Sequence, residues 1–404
     1  MPADSKSDIG EREGGTPSQN QIPPRLRGGA GEGVNAAFGV PPELLRFIEV
    51  PYVTFPGAGR RGTTVADRIS AYPFFGWRAG KVAAKLAYQG EVDVVYALGA
   101  SGLGYAMARR RHEATKPFVF NPQGLEEFGG TNPEHARLKR IAYGPLQSAV
   151  RSCARAADSV IATDRSLVPT LLRHLPIDLA HIDVVPNGID LHAIDQLQYP
   201  AVAELRARAN IPAEASLLVS VGRLEANKGF HVFARALALL QQRQPDLAAN
   251  LYWVLAGDGP FRGEIEHAAQ AAGVGSRMII AGRVSDEELH GWYEAADLFV
   301  HPTLYEGSSL VTLEAMAHAR PVLATRAGGL PDKVTPDENG WLVDPDRPDQ
   351  LADAVAAALQ LPPDTRAAMG RASRARVERE FAWPVIADTM IAVYRRLIAA
   401  EERV

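Results

Sequence analysis

From about residue 49 to the end, short apolar runs alternate with longer stretches of helical periodicity, and this alternation limits the fold more than any other feature. Candidate strands fall at 49–55, 92–97, 118–121, 159–163 and 183–185, and then at 217–221, 251–256, 278–281, 298–300, 322–324 and 340–343. Helical patterns such as 76–88, 136–156 and 167–175 separate nearly all of them. Strands alternating with helices build parallel sheets covered on both faces. Two successive sets of such units predict an α/β protein of two Rossmann-like domains. Ligands in these sheets bind at the carboxyl ends of the strands, where the strand order reverses.

The domain limits follow from composition. Residues 1–33 are Gly, Pro, Ser, Gln and charge with almost no large apolar side chain, so they are expected to be a disordered tail. Residues 34–195 are expected to form the first domain, 196–380 the second and 381–404 a closing helix. The polar stretch 195–203, after the turn Pro186-Asn187-Gly188, marks the divide.

A chain of 404 residues with 46% hydrophobic and 22% charged content has enough apolar surface for two cores. One cysteine, Cys153, excludes an internal disulfide and a cysteine zinc cluster, and fits a reducing compartment. No apolar stretch reaches the roughly 20 residues that span a bilayer, and no signal peptide is visible. A cytoplasmic location is expected. The net charge of −4 is uneven: residues 34–165 hold 17 Lys and Arg against 11 Asp and Glu, and residues 166–404 hold 22 against 31. The basic first half suits an anionic partner or membrane surface, and equally describes a solvated face. Nucleic acid is not an expected partner, because no binding motif is present and the chain is acidic.

Four elements at expected strand ends carry the chemistry. Glu306 to Glu314 reads E-G-S-S-L-V-T-L-E and leads from a strand through a turn into a helix. The free N–H groups of a first helical turn bind anions. Acids flanking that turn suit a ligand anionic at one end and rich in hydroxyls at the other, such as a nucleotide sugar. Gly222-Arg223 and Lys228-Gly229 place two cations five apart after the first strand of the second domain, where they can hold a diphosphate. Gly257-Asp258-Gly259-Pro260 is a glycine turn before a helix, and Arg262 stands where a dinucleotide fingerprint needs its third glycine. Arg283-Val284 follows a further strand, where it can present backbone to a base. Each element alone also reads as an ordinary loop.

In this order and context, the four resemble the retaining group 1 (family 4) glycosyltransferases of the GT-B fold, over about residues 155–400. Val185-Pro186-Asn187-Gly188-Ile189-Asp190 is similar to the link-side motif of that family. The resemblance implies two domains facing a central cleft, with the last helix (Trp383 onward) crossing back to the first. It implies transfer of a hexose from a nucleoside-diphosphate sugar to a hydroxyl acceptor, with no cofactor and no metal. Arg223, Lys228 and Glu306 are then the catalytic residues: the cations stabilise the leaving diphosphate, and Glu306 lies by the sugar. Glu314 holds the ribose. Gly222, Gly257, Arg283, Val284, Gly307, Ser309, Leu310 and Val311 complete the donor site, with the N–H groups of Leu310 and Val311 on phosphate.

The acceptor side departs from the family pattern. Gln123, within Asn121-Pro122-Gln123-Gly124-Leu125-Glu126, stands where many relatives carry a histidine, and a glutamine cannot take up a proton near neutral pH. Gln123, Gly124 and Glu126 are acceptor-side candidates, and Glu126 with Glu127 also reads as a solvated pair. Gly28 and Gly29 resemble the family's first glycine loop, yet no apolar strand precedes them. An abbreviated acceptor domain and a partial gene product both fit. Phe74, Phe75 and Trp77 beside Arg78, Lys81 and Lys85 suit peripheral membrane contact or core packing. The rival functions are a non-catalytic nucleotide-sugar binding or scaffold protein and a sugar-nucleotide epimerase.

Overall fold

The computed structural model describes residues 46–52, 64–128 and 143–403, so the expectations for residues 1–33, including Gly28 and Gly29, lie outside it. Two parallel sheets carry the fold. The first contains β1 (Val95–Leu98), β2 (Phe118–Asn121), β3 (Ser159–Ala162) and β4 (Ile182–Val184) in the order β1-β2-β3-β4. The second contains β5 (Ser216–Val221), β6 (Leu251–Ala256), β7 (Met278–Gly282), β8 (Leu298–His301), β9 (Val322–Thr325) and β10 (Gly340–Val343), ordered β10-β9-β8-β5-β6-β7.

Every residue of β2, β3, β8 and β9 is buried, as expected for strands covered on both faces. Alternate residues of β5 feed two separate cores: Leu218 enters one, while Leu217 and Val219 enter the other. Trp253 on β6 is 1% exposed, and its indole N–H donates to the Ser220 hydroxyl at 3.0 Å. Ser220 in turn donates to the carbonyl of Val300 at 2.7 Å, so a buried relay ties β6 to β5 and β8. Strand order reverses between β5 and β8, and the crevice there is where such sheets bind ligands.

Two expectations change. Residues 49–52 form no strand, and 53–55 lie outside the described residues. The helix expected at 76–88 runs from Thr64 to Tyr88, through Pro73. Packing offsets the hydrogen bond that proline removes. Gly76, Gly80 and Gly104 let this helix lie against Leu103–Arg110; a Cβ on Gly104 would fall 2.1 Å from the carbonyl oxygen of Trp77.

The closing helix, Trp383–Glu401, returns to the first sheet. Its Ile386 and Val393 pack with Val119, Ile161 and Val185, and Arg396 pairs with Asp183. The chain leaves and re-enters the first domain side by side, since Ile189 N–H donates to Phe381 O at 2.9 Å and Trp383 N–H to Ile189 O at 3.0 Å. A second tie between the sheets runs from Arg165 N–H, after β3, to the Asp332 carboxylate at 2.7 Å.

Candidate functional site

The site is built at the seam between β5 and β8. After β5 the chain makes a tight turn, Ala226–Lys228, and then begins the helix Phe230–Arg243. Gly229 between them has φ +69°, and a Cβ there would sit 2.0 Å from the Pro302 carbonyl. Glycine is needed both for the left-handed backbone and for this close approach. The N–H of Leu304 donates to Asn227 O at 2.7 Å, so the loops after β5 and β8 are latched together.

That latch places Lys228 Nζ 2.8 Å from Glu306 Oε2. His301, the last residue of β8, lies 2.6 Å from the same oxygen through Nε2, and Gly307 N–H donates to the other oxygen at 3.1 Å. Burial alone would push the Glu306 carboxyl up. The hydrogen bond and charge of His301, together with Lys228, outweigh it and bring the carboxyl down to about 2. Glu306 is therefore an anion at neutral pH, held from both sides.

The helix Leu310–Ala317 starts directly after this loop. Ser309 caps it, accepting from Thr312 N–H, and the serine is 4% exposed. The Ser309 hydroxyl thus serves the helix, while the first-turn N–H groups of Leu310 and Val311 have no intrahelical acceptor. About one turn along, Glu314 accepts a 2.6 Å hydrogen bond from the Tyr293 hydroxyl. Burial pushes the Glu314 carboxyl up despite that bond, and burial beside Glu314 pushes the fully buried Tyr293 phenol well up.

A cavity of 430 Å³ opens at the ends of β5, β6 and β7, lined by Gly222, Arg223, Gly257, Asp258, Arg283 and Val284. Its glycines let loops meet each other: a Cβ on Gly257 (φ +144°) would fall 1.9 Å from Gly222 O, and one on Gly259 2.4 Å from Leu224 O. Arg223 lies on the rim, its side chain 77% exposed and paired with Glu225 at 2.7 Å. The two cations are therefore unequal. Lys228 reaches Glu306, whereas Arg223 faces solvent and makes no contact with that carboxylate.

Residues 202–376 match the family model of glycosyl transferases group 1, and residues 37–193 match that of Glycosyltransferase Family 4. The chain belongs to the group 1 glycosyltransferases. Its fold is GT-B, with the family's two parallel-sheet domains and returning helix. D-inositol 3-phosphate glycosyltransferase of Arthrobacter sp. (strain FB24) is 34% identical over 244 residues, covering 60% of this chain and 56% of that protein. The protein of the same description from Corynebacterium glutamicum (strain R) is 33% identical, covering 61% and 59%. The chain thus spans less than two thirds of the length of these curated relatives. Sucrose-phosphate synthase from Thermosynechococcus elongatus superposes with a TM-score of 0.65 at 26% identity, over 87% of this chain and 82% of that one. Anabaena HepE, solved in complex with UDP, gives 0.63 at 22% identity, over 78% and 82%; this likeness speaks for the fold.

In the loop after β2, Gln123 is exposed with φ +64°, and its N–H donates to Asn121 Oδ1 at 3.0 Å. Leu125 also has positive φ, at 53°, so the loop after β2 is held in a strained backbone. Gly124 is exposed, and Glu126 lies in a short 3₁₀ turn, Glu126–Phe128. The hydrogen bonds of Gln123 stay within its own loop and do not reach the Glu306 cluster.

Two residues that meet the paired glutamates were invisible to motif reading: His301 and Tyr293. Both reach them through the fold rather than through spacing. The available signal for His301 was its place at the end of an apolar strand, directly before the Glu306 loop. Among the described residues, no group of three or more His, Cys, Asp or Glu is arranged to hold a metal, and no helix is long and apolar enough to cross a membrane.

Proposed function

We propose that this group 1 glycosyltransferase moves a hexose, with retention, from a nucleoside-diphosphate sugar to a hydroxyl acceptor held by the first domain. The observation that carries this reading is the Lys228–Glu306 pair at the start of the helix bearing Glu314. It puts a cation, an ionised carboxylate and free helix N–H groups together at the seam between the loops after β5 and β8. Solved neighbours of the same fold hold UDP and UDP-glucose, which supports a nucleotide-sugar donor.

In this reading the diphosphate lies between Lys228 and the N–H groups of Leu310 and Val311, and Arg223 swings in from the rim. As the bond from the anomeric carbon to the diphosphate breaks, negative charge grows on phosphate, where fixed cations act most strongly. Glu306, kept ionised by its partners, faces the positive charge that develops at the anomeric carbon. Glu314 binds the ribose hydroxyls, and the base enters the cavity at Arg283 and Val284. The acceptor meets the loop that carries Gln123.

A cytoplasmic setting with peripheral contact to an anionic membrane belongs to the same proposal. Phe74 is 45% exposed and stacked on Trp77, over which Lys81 sits at 4.3 Å. Sedimentation with anionic vesicles, compared with neutral ones, tests that part.

The function is tested by incubating the protein with a panel of nucleoside-diphosphate sugars and alcohol acceptors and identifying the product. A glycosylated acceptor of retained anomeric configuration is expected. Nucleotide-sugar binding without turnover would contradict the proposal and favour a scaffold; isomerised donor would favour an epimerase.

A further inference from the structure

Lys333 is 1% exposed, yet among the described residues it forms no ion pair. Its ammonium makes two long hydrogen bonds, to the Ser308 hydroxyl at 3.3 Å and to Gly329 O at 3.4 Å, and lies 5.7 Å from the centre of the Phe381 ring. Burial pushes the group down, while Asp164, Asp332 and Glu306 pull it up. A lone buried cation is costly, and an apolar side chain of similar length would suit the space better.

The fold nevertheless fixes the backbone that carries this side chain. Asn339, fully buried, donates to the Lys333 carbonyl at 3.1 Å, and Ser373 donates to Asn339 O at 3.2 Å. The turn ahead of Lys333 supports the Glu306 loop from behind: Gly329 N–H donates to Gly307 O at 3.1 Å, and a Cβ on Gly328 (φ +50°) would strike Glu306 O at 1.9 Å. Asp164, at the end of β3 in the first domain, is buried against Gly329. Lys333 therefore lies beneath the donor loop, where the two domains meet, and its ammonium is directed at Ser308, the residue before the cap of the phosphate-facing helix.

We propose that Lys333 is a positioning residue of the donor site, acting through Ser308. The ammonium donates to the Ser308 oxygen, so the hydroxyl proton must turn away from Lys333, toward the phosphate end of the donor. Ser308 thereby becomes a fixed donor beside the N–H groups of Leu310 and Val311, and the buried charge adds to the positive potential there. This assignment rests on the donor-site reading above.

The test measures pyrophosphate, a probe that needs no knowledge of the base, by calorimetry on the full chain, with melting temperature recorded in parallel. Lys333→Met is expected to melt no lower than wild type, and to bind pyrophosphate about tenfold more weakly. Ser308→Ala is expected to weaken binding similarly, and the double variant to be no weaker than about twofold below either single one. Unchanged affinity in Lys333→Met, or losses that simply add, would overturn the proposal. Should Lys333→Met fail to fold, Lys333 is structural and the proposal falls unless Ser308→Ala shows the loss. The two readings fail separately. Donor turnover with equal pyrophosphate affinities sinks the role of Lys333 alone, whereas Lys333-dependent binding without any donor turnover sinks the transferase reading alone.

Discussion

Lys228 and Glu306, 78 residues apart in sequence, are joined by a 2.8 Å ion pair across the seam between β5 and β8. In the proposed function the same lysine holds the donor diphosphate, so the pair and the donor would compete for it. His301 also holds Glu306, at 2.6 Å. Donor binding would thus leave the carboxylate aimed by His301 and Gly307 alone.

This competition predicts opposite effects on binding and turnover. Glu306→Gln removes the charge that holds Lys228 and should bind nucleoside diphosphate at least as tightly as wild type. Its kcat should fall by about 100-fold or more, as expected when a charge aimed at the reacting centre is lost. Calorimetry with UDP, alongside initial rates, checks both. Parallel losses of affinity and rate would contradict the competition.

The acid limit of stability is set partly by the same carboxylate. Burial works against Glu306, but His301 and Lys228 bring it from an ordinary 4.5 to about 2. A carboxyl depressed in the folded state stabilises above its unfolded value and loses that contribution as pH falls through the folded one. The gap corresponds to about 3 kcal/mol. Wild type should therefore exceed Glu306→Gln in unfolding free energy at pH 6, with the difference shrinking from about pH 5 toward pH 2. Urea unfolding at several pH values measures this, and a constant difference would be inconsistent with it.

Glu314 has the opposite sign. Burial pushes its carboxyl up, so the ionised form costs stability at neutral pH, and the cost is relieved as pH falls through the raised value. Glu314→Gln should raise the melting temperature at pH 7 while weakening nucleotide binding, because an amide still accepts from Tyr293 but binds ribose hydroxyls less strongly. Differential scanning calorimetry at pH 7 and pH 4 should show the gain only at the higher pH.

Gly229 is the hinge point of the Lys228 turn. A Cβ there meets Pro302 O at 2.0 Å, and the backbone is left-handed at φ +69°. Gly229→Ala should cost about 1–3 kcal/mol and displace Lys228 from Glu306. Chemical denaturation and donor turnover should both report a loss; a neutral result would show that the loops can separate freely.

These predictions draw on parts of the molecule that differ in how plainly the sequence declared them. Strands such as β2, β6 and β10 were legible to the residue, because buried parallel strands read as unbroken apolar runs ended by glycine or polar turns. Lys228 and Glu306 stood out because each lies between a strand end and a helix start, and Glu314 because it lies in the helix that follows Glu306. Their partners did not. Tyr293 meets Glu314, and Lys333 meets Ser308, through the order β10-β9-β8-β5, which no local pattern encodes. Arg223 shows the reverse: spacing set it beside Lys228, while its exposed position and the nearby Glu225 draw it to the rim. The helix 64–88 was expected only from Gly76; the turns before it contain Pro73, and the close approach of Gly76 to Ala100 is a tertiary contact that spacing does not show.

The central claim is that Lys228 and Glu306 form the working centre of a sugar-nucleotide transferase. The most direct measurement is the release of nucleoside diphosphate from a panel of nucleoside-diphosphate sugars, by wild type and by Lys228→Ala, with folding of both confirmed. The account predicts turnover of at least one donor by wild type and a loss of about 100-fold or more in the variant. Undiminished turnover in Lys228→Ala would contradict it.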